Sequence, residues 1–336
     1  MPATSQISYA APREDVSLDN CLFYHMMDLP GIGEVGSEWD LRPDVDAYLG
    51  HTDFAGKRVL EVGPASGFLT FTMEKKGASV VCLELTPDKA WEFVPYPDSY
   101  MNLIRAQRRS GIPKVTNSFW LAHKAFGSKA KAFYGEAYDI PDALGKFDIA
   151  MLAAVLLHCQ NPARIVEQCA KRSNTIIIAE RIFPELEGKP VCRLVPNVDN
   201  KAWDTWWDFS TEFFIQYLAI LGFTDIRKTT HTPLFKGKYP VPMFTLVASK
   251  PDAPIVGAAG ADVAGAAMTA EPDSRQASPQ EEAERFVRAI YRGVLRREPD
   301  PGAVYHINAV LDGRSPAAVI EDFINTDEYK NLNATK

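Results

Sequence analysis

The stretch RVLEVGPASGFLT, residues 58 to 70, carries an apolar run into two glycines, Gly63 and Gly67, with an acid, Glu61, just ahead of them. A turn of this kind, between a strand and a helix, brings backbone close to a ligand, and its residue types select which ligand. A dinucleotide calls for G-x-G-x-x-G, because backbone N–H groups at a helix N-terminus must approach a pyrophosphate. Here Pro64 removes one N–H donor and Ala65 places a methyl where the middle glycine would stand. S-adenosylmethionine carries no phosphate. It is a cation with an ammonium and a sulfonium, so a tight turn of carbonyls beside Glu61 suits it better. The next apolar run, VVCLEL, ends at Glu84 and Leu85, where a carboxylate accepts hydrogen bonds from both hydroxyls of a ribose. That acid alone would serve NAD equally well, so the choice between the two cofactors rests on the turn.

Further along, VLLHCQNP places His158 just past a third apolar run, where it can take a proton from a hydroxyl or amine nucleophile. Its plainer role would be to hydrogen-bond the loop. Cys159 beside it is no nucleophile partner, since adjacent side chains diverge. Glu180, in TIIIAERIF, opens onto the same side as a second catalytic candidate, with an ion pair to Arg181 as its structural alternative. KAWDTWWDFS brings Trp203, Trp206 and Trp207 beside two aspartates, an aromatic wall with polar handles suited to a sugar ring or to an aromatic or cationic small molecule. Burial of two of the three in the core is the alternative. Trp91 is placed to pack on the adenosine. No His, Cys, Asp or Glu spacing suggests a metal site.

Strand-like and helix-like segments alternate around these residues, the pattern of a parallel sheet covered on both faces. Strands are expected at Arg58–Val62, Ser79–Leu85, Lys131–Tyr134, Phe147–Leu152, Thr175–Ala179, Asp225–Thr230 and Met243–Ala248. Helices are expected at Phe68–Lys76, at Ala163–Lys171 after the Asn161-Pro162 start signal, and at Thr211–Leu221 before Gly222. The fold class is thus α/β, a doubly wound seven-stranded sheet whose ligands lie beyond the carboxyl ends of the strands. An insertion, 93–125, exceeds the usual short connection and reads as a lid or recognition surface. Residues 1–50 read as a helical N-terminal cap over the same edge, and 51–250 as the catalytic domain.

Residues 251–280 contain no aromatic residue and no lysine, and are rich in alanine, glycine and proline. Such a coil spans roughly 30 Å on average and leaves its flanks independent. Beyond it, 281–336 shows helical periodicity, with Phe286, Ile290 and Val294 on one stripe and Val319, Ile320, Phe323 and Ile324 on another. This predicts a small all-α accessory domain.

Composition narrows the function classes. At 46% hydrophobic and 24% charged residues over 336 positions, the chain is an ordinary globular protein. A formal net charge of -7 disfavours nucleic acid, although Arg105, Arg108 and Arg109 form a local basic patch. Five cysteines without paired spacing point to reduced thiols and a cytoplasmic location. No signal peptide or run long enough to span a bilayer is evident.

Together these motifs resemble the class I S-adenosylmethionine-dependent methyltransferases over roughly residues 39–250. The resemblance rests on the glycine turn, Glu84, Gly135-Glu136-Ala137, and FDIAMLAAVLLHCQNP from Phe147 to Pro162. It departs from the family only in Pro64 and Ala65. It implies a Rossmann-like fold, and cofactor contacts from Glu61, Gly63, Pro64, Ala65, Gly67, Glu84 and Leu85. Glu136 and Ala137 would lie against the adenine, and Ala153 near the methionine end. Residues 281–336, with YRGVLRREPDPG and LDGRSPAAVIEDFINTDEY, resemble a small bacterial helical domain of unassigned function appended to methyltransferases and glycosyltransferases. The expected acceptor is an O or N atom of a small molecule or saccharide, and the helical domain would dock a protein partner or self-associate. The VLLH stretch also resembles tRNA-modifying methyl or carboxymethyl transferases. A non-catalytic S-adenosylmethionine-binding scaffold is the remaining alternative.

Overall fold

Seven strands form the central sheet: β1 (Arg58–Val62), β2 (Ser79–Glu84), β3 (Lys131–Tyr134), β4 (Phe147–Ala153), β5 (Ser173–Arg181), β6 (Asp225–His231) and β7 (Met243–Ser249). Their order is β6-β7-β5-β4-β1-β2-β3, with β7 antiparallel to both neighbours and the other ladders parallel. This is a Rossmann-like, doubly wound sheet. The computed structural model describes residues 7–86, 89, 92–251, 279–295, 299, 303–312, 314, 319–320, 322–323 and 326.

The central strands are near-continuous apolar runs because both faces are covered. In β5, Ile176, Ile177 and Ile178 are all fully buried. Alternate residues feed two cores. Val59, Met151 and Ile177 meet α2 (Phe68–Lys75) and the second half of α3 (Asp98–Phe126), whereas Leu60, Ala150 and Ile178 meet α4 (Pro162–Ala170) and α5 (Thr211–Ile220). Local signals set the helix starts. The Asn161 side chain accepts from the Arg164 N–H at 3.1 Å with Pro162 at the first helical position, and Ser210 Oγ accepts from the Phe213 N–H at 3.1 Å. Strand and helix bounds agree with the sequence expectation to within two residues.

Two expectations change. The N-terminal segment covers the carboxyl edge but is mostly not helical. Met27–Leu29 and Gly33–Val35 form an antiparallel hairpin, Trp39–Asp40 pairs with Leu234–Phe235, and the α-helical part is a single turn, Val45–Tyr48. The cause lies in LPGIGEVG: Gly31, Gly33 and Gly36 sit at φ of 74°, 104° and 94°, which no helix contains. The stretch 93–125 is largely one helix, α3, rather than a free excursion. Its second half, with Phe119, Trp120 and Ala122 buried, is the helix that covers the sheet between β2 and β3; in its first turn Met101 is buried too, and the Tyr100 hydroxyl donates to the Lys201 carbonyl at 3.1 Å. Gly127, at φ 61°, ends it.

The chain divides into two units, 1–261 and 262–336. In the second, α6 (Pro279–Val294) and Ala303–Leu311 are helical, and Val287, Ile290, Tyr291, Leu295, Ala303, Val319 and Phe323 make a small core. Of the expected stripes, Ile290, Val319 and Phe323 are buried and Phe286 packs against them, whereas Ile320 is exposed. Most of the linker and Ile324 lie outside the described residues. Among the described residues no helix is long and apolar enough to cross a membrane.

Candidate active site

The glycine turn leaves β1 and enters α2 through three left-handed residues: Gly63 (φ 72°), Ala65 (φ 50°) and Gly67 (φ 87°). The Gly63 N–H donates to the Leu83 carbonyl at 2.9 Å, which ties the turn to β2, and Gly67 N–H donates to the Pro64 carbonyl at 2.8 Å. A Cβ on Gly63 would stand 3.0 Å from Val155, and one on Gly67 would stand 2.5 Å from the Phe71 ring. Both glycines are therefore required by close approach as well as by φ.

Glu84, at the end of β2, is half-buried beside this turn. Its Oε1 accepts from the Leu85 N–H at 2.7 Å, and the Ala65 N–H also points to it. Burial still dominates and pushes its pKa up to about 7. Glu61 lies inside the fold instead of on the cleft. It is 2% exposed, accepts from Thr70 Oγ1 at 2.5 Å, and is likewise raised by burial to about 7. It fastens α2 to β1 beneath the turn. Glu136 and Ala137 follow β3 directly next to Glu84, through Gly135 N–H donating to the Glu84 carbonyl at 2.9 Å. Glu136 is exposed and paired with Lys89.

Facing the turn is the segment after β4. Ala153 is half-buried, and Ala154 is left-handed at φ 47°. His158 ends a single 3₁₀ turn, Leu156–His158, and its Nδ1 lies 2.5 Å from the backbone carbonyl of Asp204. A carbonyl only accepts, so Nδ1 carries the proton and Nε2 is the basic nitrogen of the neutral ring. Glu180 is 3% exposed; the N–H groups of Leu156 and Leu157 point to it, and burial raises it to about 8.

The aromatic segment closes this side. The Trp206 indole N–H donates to the Glu92 carbonyl at 2.6 Å and the Trp207 indole N–H to the Gln160 carbonyl at 3.3 Å, so both help hold loops together. Trp203 packs with Phe93 at 5.8 Å between ring centres, and the Arg108 guanidinium lies 4.6 Å over its face. All three tryptophans keep one side toward solvent. Trp91 lies outside the described residues.

Several residues at the edge were not singled out by the sequence. Ser66 Oγ accepts from the His25 N–H at 3.1 Å, pinning the N-terminal segment onto the turn, and burial lowers His25 to about 4. The Tyr24 hydroxyl accepts from the Trp39 indole at 3.1 Å. The Glu92 carboxylate accepts from the Tyr138 hydroxyl and, at 2.6 Å, from the Gln160 N–H. These contacts join segments far apart in the chain, and no local spacing announces them. The one available signal was that His25 lies within residues 1–50, the segment already expected over this edge.

No family model matches the chain, and no curated protein matches it. Matching solved structures include the N-terminal domain of EvdMO1 in the presence of SAH and D-fucose (16% identity, 62% of this chain and 82% of that one, TM-score 0.38). Also matching are magnesium protoporphyrin IX methyltransferase from Synechocystis with bound SAM (14%, 62% and 78%, 0.40) and a protein of Pyrococcus horikoshii provisionally named an RNA methyltransferase (16%, 61% and 78%, 0.37). At such identities and scores the class rests on the chain's own sheet: a Rossmann-like domain of the class I methyltransferase fold.

Proposed function

We propose that this chain is an S-adenosylmethionine-dependent methyltransferase acting on an oxygen or nitrogen atom of a small molecule or saccharide. The observation that carries the reading is the half-buried Glu84 carboxylate beside a glycine turn that lacks the N–H donor of a pyrophosphate cradle at Pro64. The residues present fit the cofactor. Glu84 would hold the ribose hydroxyls, the Gly63–Gly67 turn the amino-acid end, Glu136 and Ala137 the adenine, and Ala153 the methionine chain. When bound, S-adenosylmethionine supplies an electrophilic methyl group on a positively charged sulfur.

The chain's own residues then have three tasks. The tryptophan loop and the first turns of α3 position the acceptor and exclude water. His158 receives the acceptor's proton at Nε2, in the tautomer fixed by the Asp204 carbonyl. Glu180 sets the polarity of the floor beside it.

Calorimetric titration of the full chain with S-adenosylmethionine tests the first half of this reading, and labelled methyl transfer into extracted RNA or into polar metabolites tests the second. Label in metabolites supports the proposal, and label in RNA replaces it with nucleic-acid modification. Tight cofactor binding with no transfer into either would favour a scaffold.

A further inference from the structure

His25 stands where the N-terminal segment meets the glycine turn, and it is held there from several directions. The Met26 N–H donates to the Trp39 carbonyl at 2.8 Å and the Trp39 N–H to the Tyr24 carbonyl at 3.2 Å, which fixes the backbone on both sides of His25. Tyr24 meets the imidazole edge-on at 5.0 Å between ring centres, and Phe68, the first residue of α2, lies at 6.0 Å. The His25 backbone N–H donates to Ser66 Oγ, and Nδ1 lies 3.4 Å from the same oxygen. This double tie selects a tautomer. Ser66 is fully buried, and among the described residues its hydroxyl hydrogen has only Nδ1 to reach. Nδ1 therefore accepts, and the neutral ring carries its proton on Nε2.

That Nε2–H has no hydrogen-bond partner among the described residues, yet it is not sealed from solvent. Burial lowers the imidazole to about 4, so the donor is uncharged at neutral pH. S-adenosylmethionine offers few acceptors at this end. Its ammonium and sulfonium are cations and cannot accept from an N–H, and its ribose hydroxyls and adenine are taken by Glu84, Glu136 and Ala137 in the proposed site. The carboxylate remains. Residues 63–70, GPASGFLT, contain no lysine or arginine, so the turn offers that carboxylate no charged partner of its own. A neutral donor supplies a hydrogen bond without bringing a positive charge up to the sulfonium.

We infer that His25 is a cofactor-binding residue: its Nε2–H donates to the carboxylate of S-adenosylmethionine, and the N-terminal segment thereby completes the amino-acid end of the site that the glycine turn begins. This rests on the methyltransferase reading and extends its cofactor site beyond the sheet.

The test is a cycle of calorimetric titrations on the full chain, wild type and His25→Phe, with S-adenosylmethionine and with its decarboxylated form, which lacks only the carboxylate. Phenylalanine keeps a ring against Tyr24 and Phe68 and removes the donor. His25→Phe should weaken S-adenosylmethionine by about tenfold or more and the decarboxylated form by less than about twofold. His25→Gln, whose amide carries an N–H on a side chain of similar length, should recover part of the loss. If the phenylalanine variant does not fold, histidine NMR of the wild type takes its place: S-adenosylmethionine, and not the decarboxylated form, should slow solvent exchange of the Nε2–H on the ring in contact with Phe68. Equal losses for the two forms would make His25 a packing residue, and no loss for either would remove it from the site. Either result, or equal exchange with both forms, overturns the inference. A wild type that binds neither form sinks the methyltransferase reading and this inference with it, whereas tight S-adenosylmethionine binding with the same discrimination in a folded variant sinks only the role of His25.

Discussion

The two sides of the cleft are built from different material. On the cofactor side one continuous piece of chain, from β1 through the turn into α2, meets the next strand, and backbone geometry does most of the shaping: three left-handed residues, two glycines without room for a Cβ, and Glu84. On the side proposed for the acceptor, Tyr24, Glu92, Arg108, His158, Trp203 and Asp204 come from five separate segments and are joined by side-chain contacts. The difference follows the ligands. A fixed cofactor can be matched by a short rigid turn, while an acceptor is matched by loops whose residues change without disturbing the sheet.

The contrast can be broken most directly at Glu84. Glu84→Ala removes hydrogen bonds to the ribose worth about 1.5–3 kcal/mol each, so S-adenosylmethionine affinity should fall by roughly 10²- to 10⁴-fold with acceptor binding retained. Calorimetry showing wild-type affinity in a folded variant would end the proposal.

His158→Ala should leave cofactor affinity intact and lower single-turnover rates by roughly 10²-fold. An unchanged rate would make His158 a loop anchor held by Asp204.

Stability separates the sides further. Gly67→Ala forces a side chain to φ 87° and into Phe71, and should cost about 1–3 kcal/mol in urea unfolding. Gly188, at φ 81° with nothing within 4 Å of an added Cβ, should tolerate alanine at the lower end of that range or below. Equal costs would mean that packing at the turn contributes nothing.

The smallest effect is in pH. Glu84 is raised to about 7 by burial, above its ordinary value of 4.5, and ribose donors favour its charged form. Cofactor binding should therefore release protons, and affinity should weaken severalfold as pH drops from 7 to 6, a trend absent in Glu84→Gln. The same raised values at Glu61, Glu84 and Glu180 mean that their contribution to cofactor-free stability is present below their ordinary 4.5 and is lost as pH rises from there to about 7 to 8. A thermal midpoint that climbs over that window would contradict this.

The sheet was legible because the inner strands are short, apolar and bounded by turn residues, because the polar edge strand Asp225–His231 follows a helix stop at Gly222, and because Asn161-Pro162 starts another helix. The positions of Gly63, Gly67 and Glu84 followed from the same local grammar. The N-terminal cap did not, since a few apolar residues between glycines fit a helix or a hairpin until positive φ is known. Trp206 was legible as an aromatic at the cleft, but its tie to the Glu92 carbonyl was not, because that partner lies more than a hundred positions away. Glu61 illustrates a subtler limit. Sequence placed it at the turn, but which way a carboxylate faces depends on α2, where Thr70 captures it.

The pairing of Trp39–Asp40 with Leu234–Phe235 also bears on the order of assembly. During synthesis residues 23–40 leave the ribosome well before their strand partner, which is made only after β6. The roof of the cleft is thus translated early and closed late. Its apolar residues Phe23, Met27 and Leu29 share a core with α2 and α3, which are made much sooner, so what waits for the end of the sheet is the packing of Trp39 on Phe235.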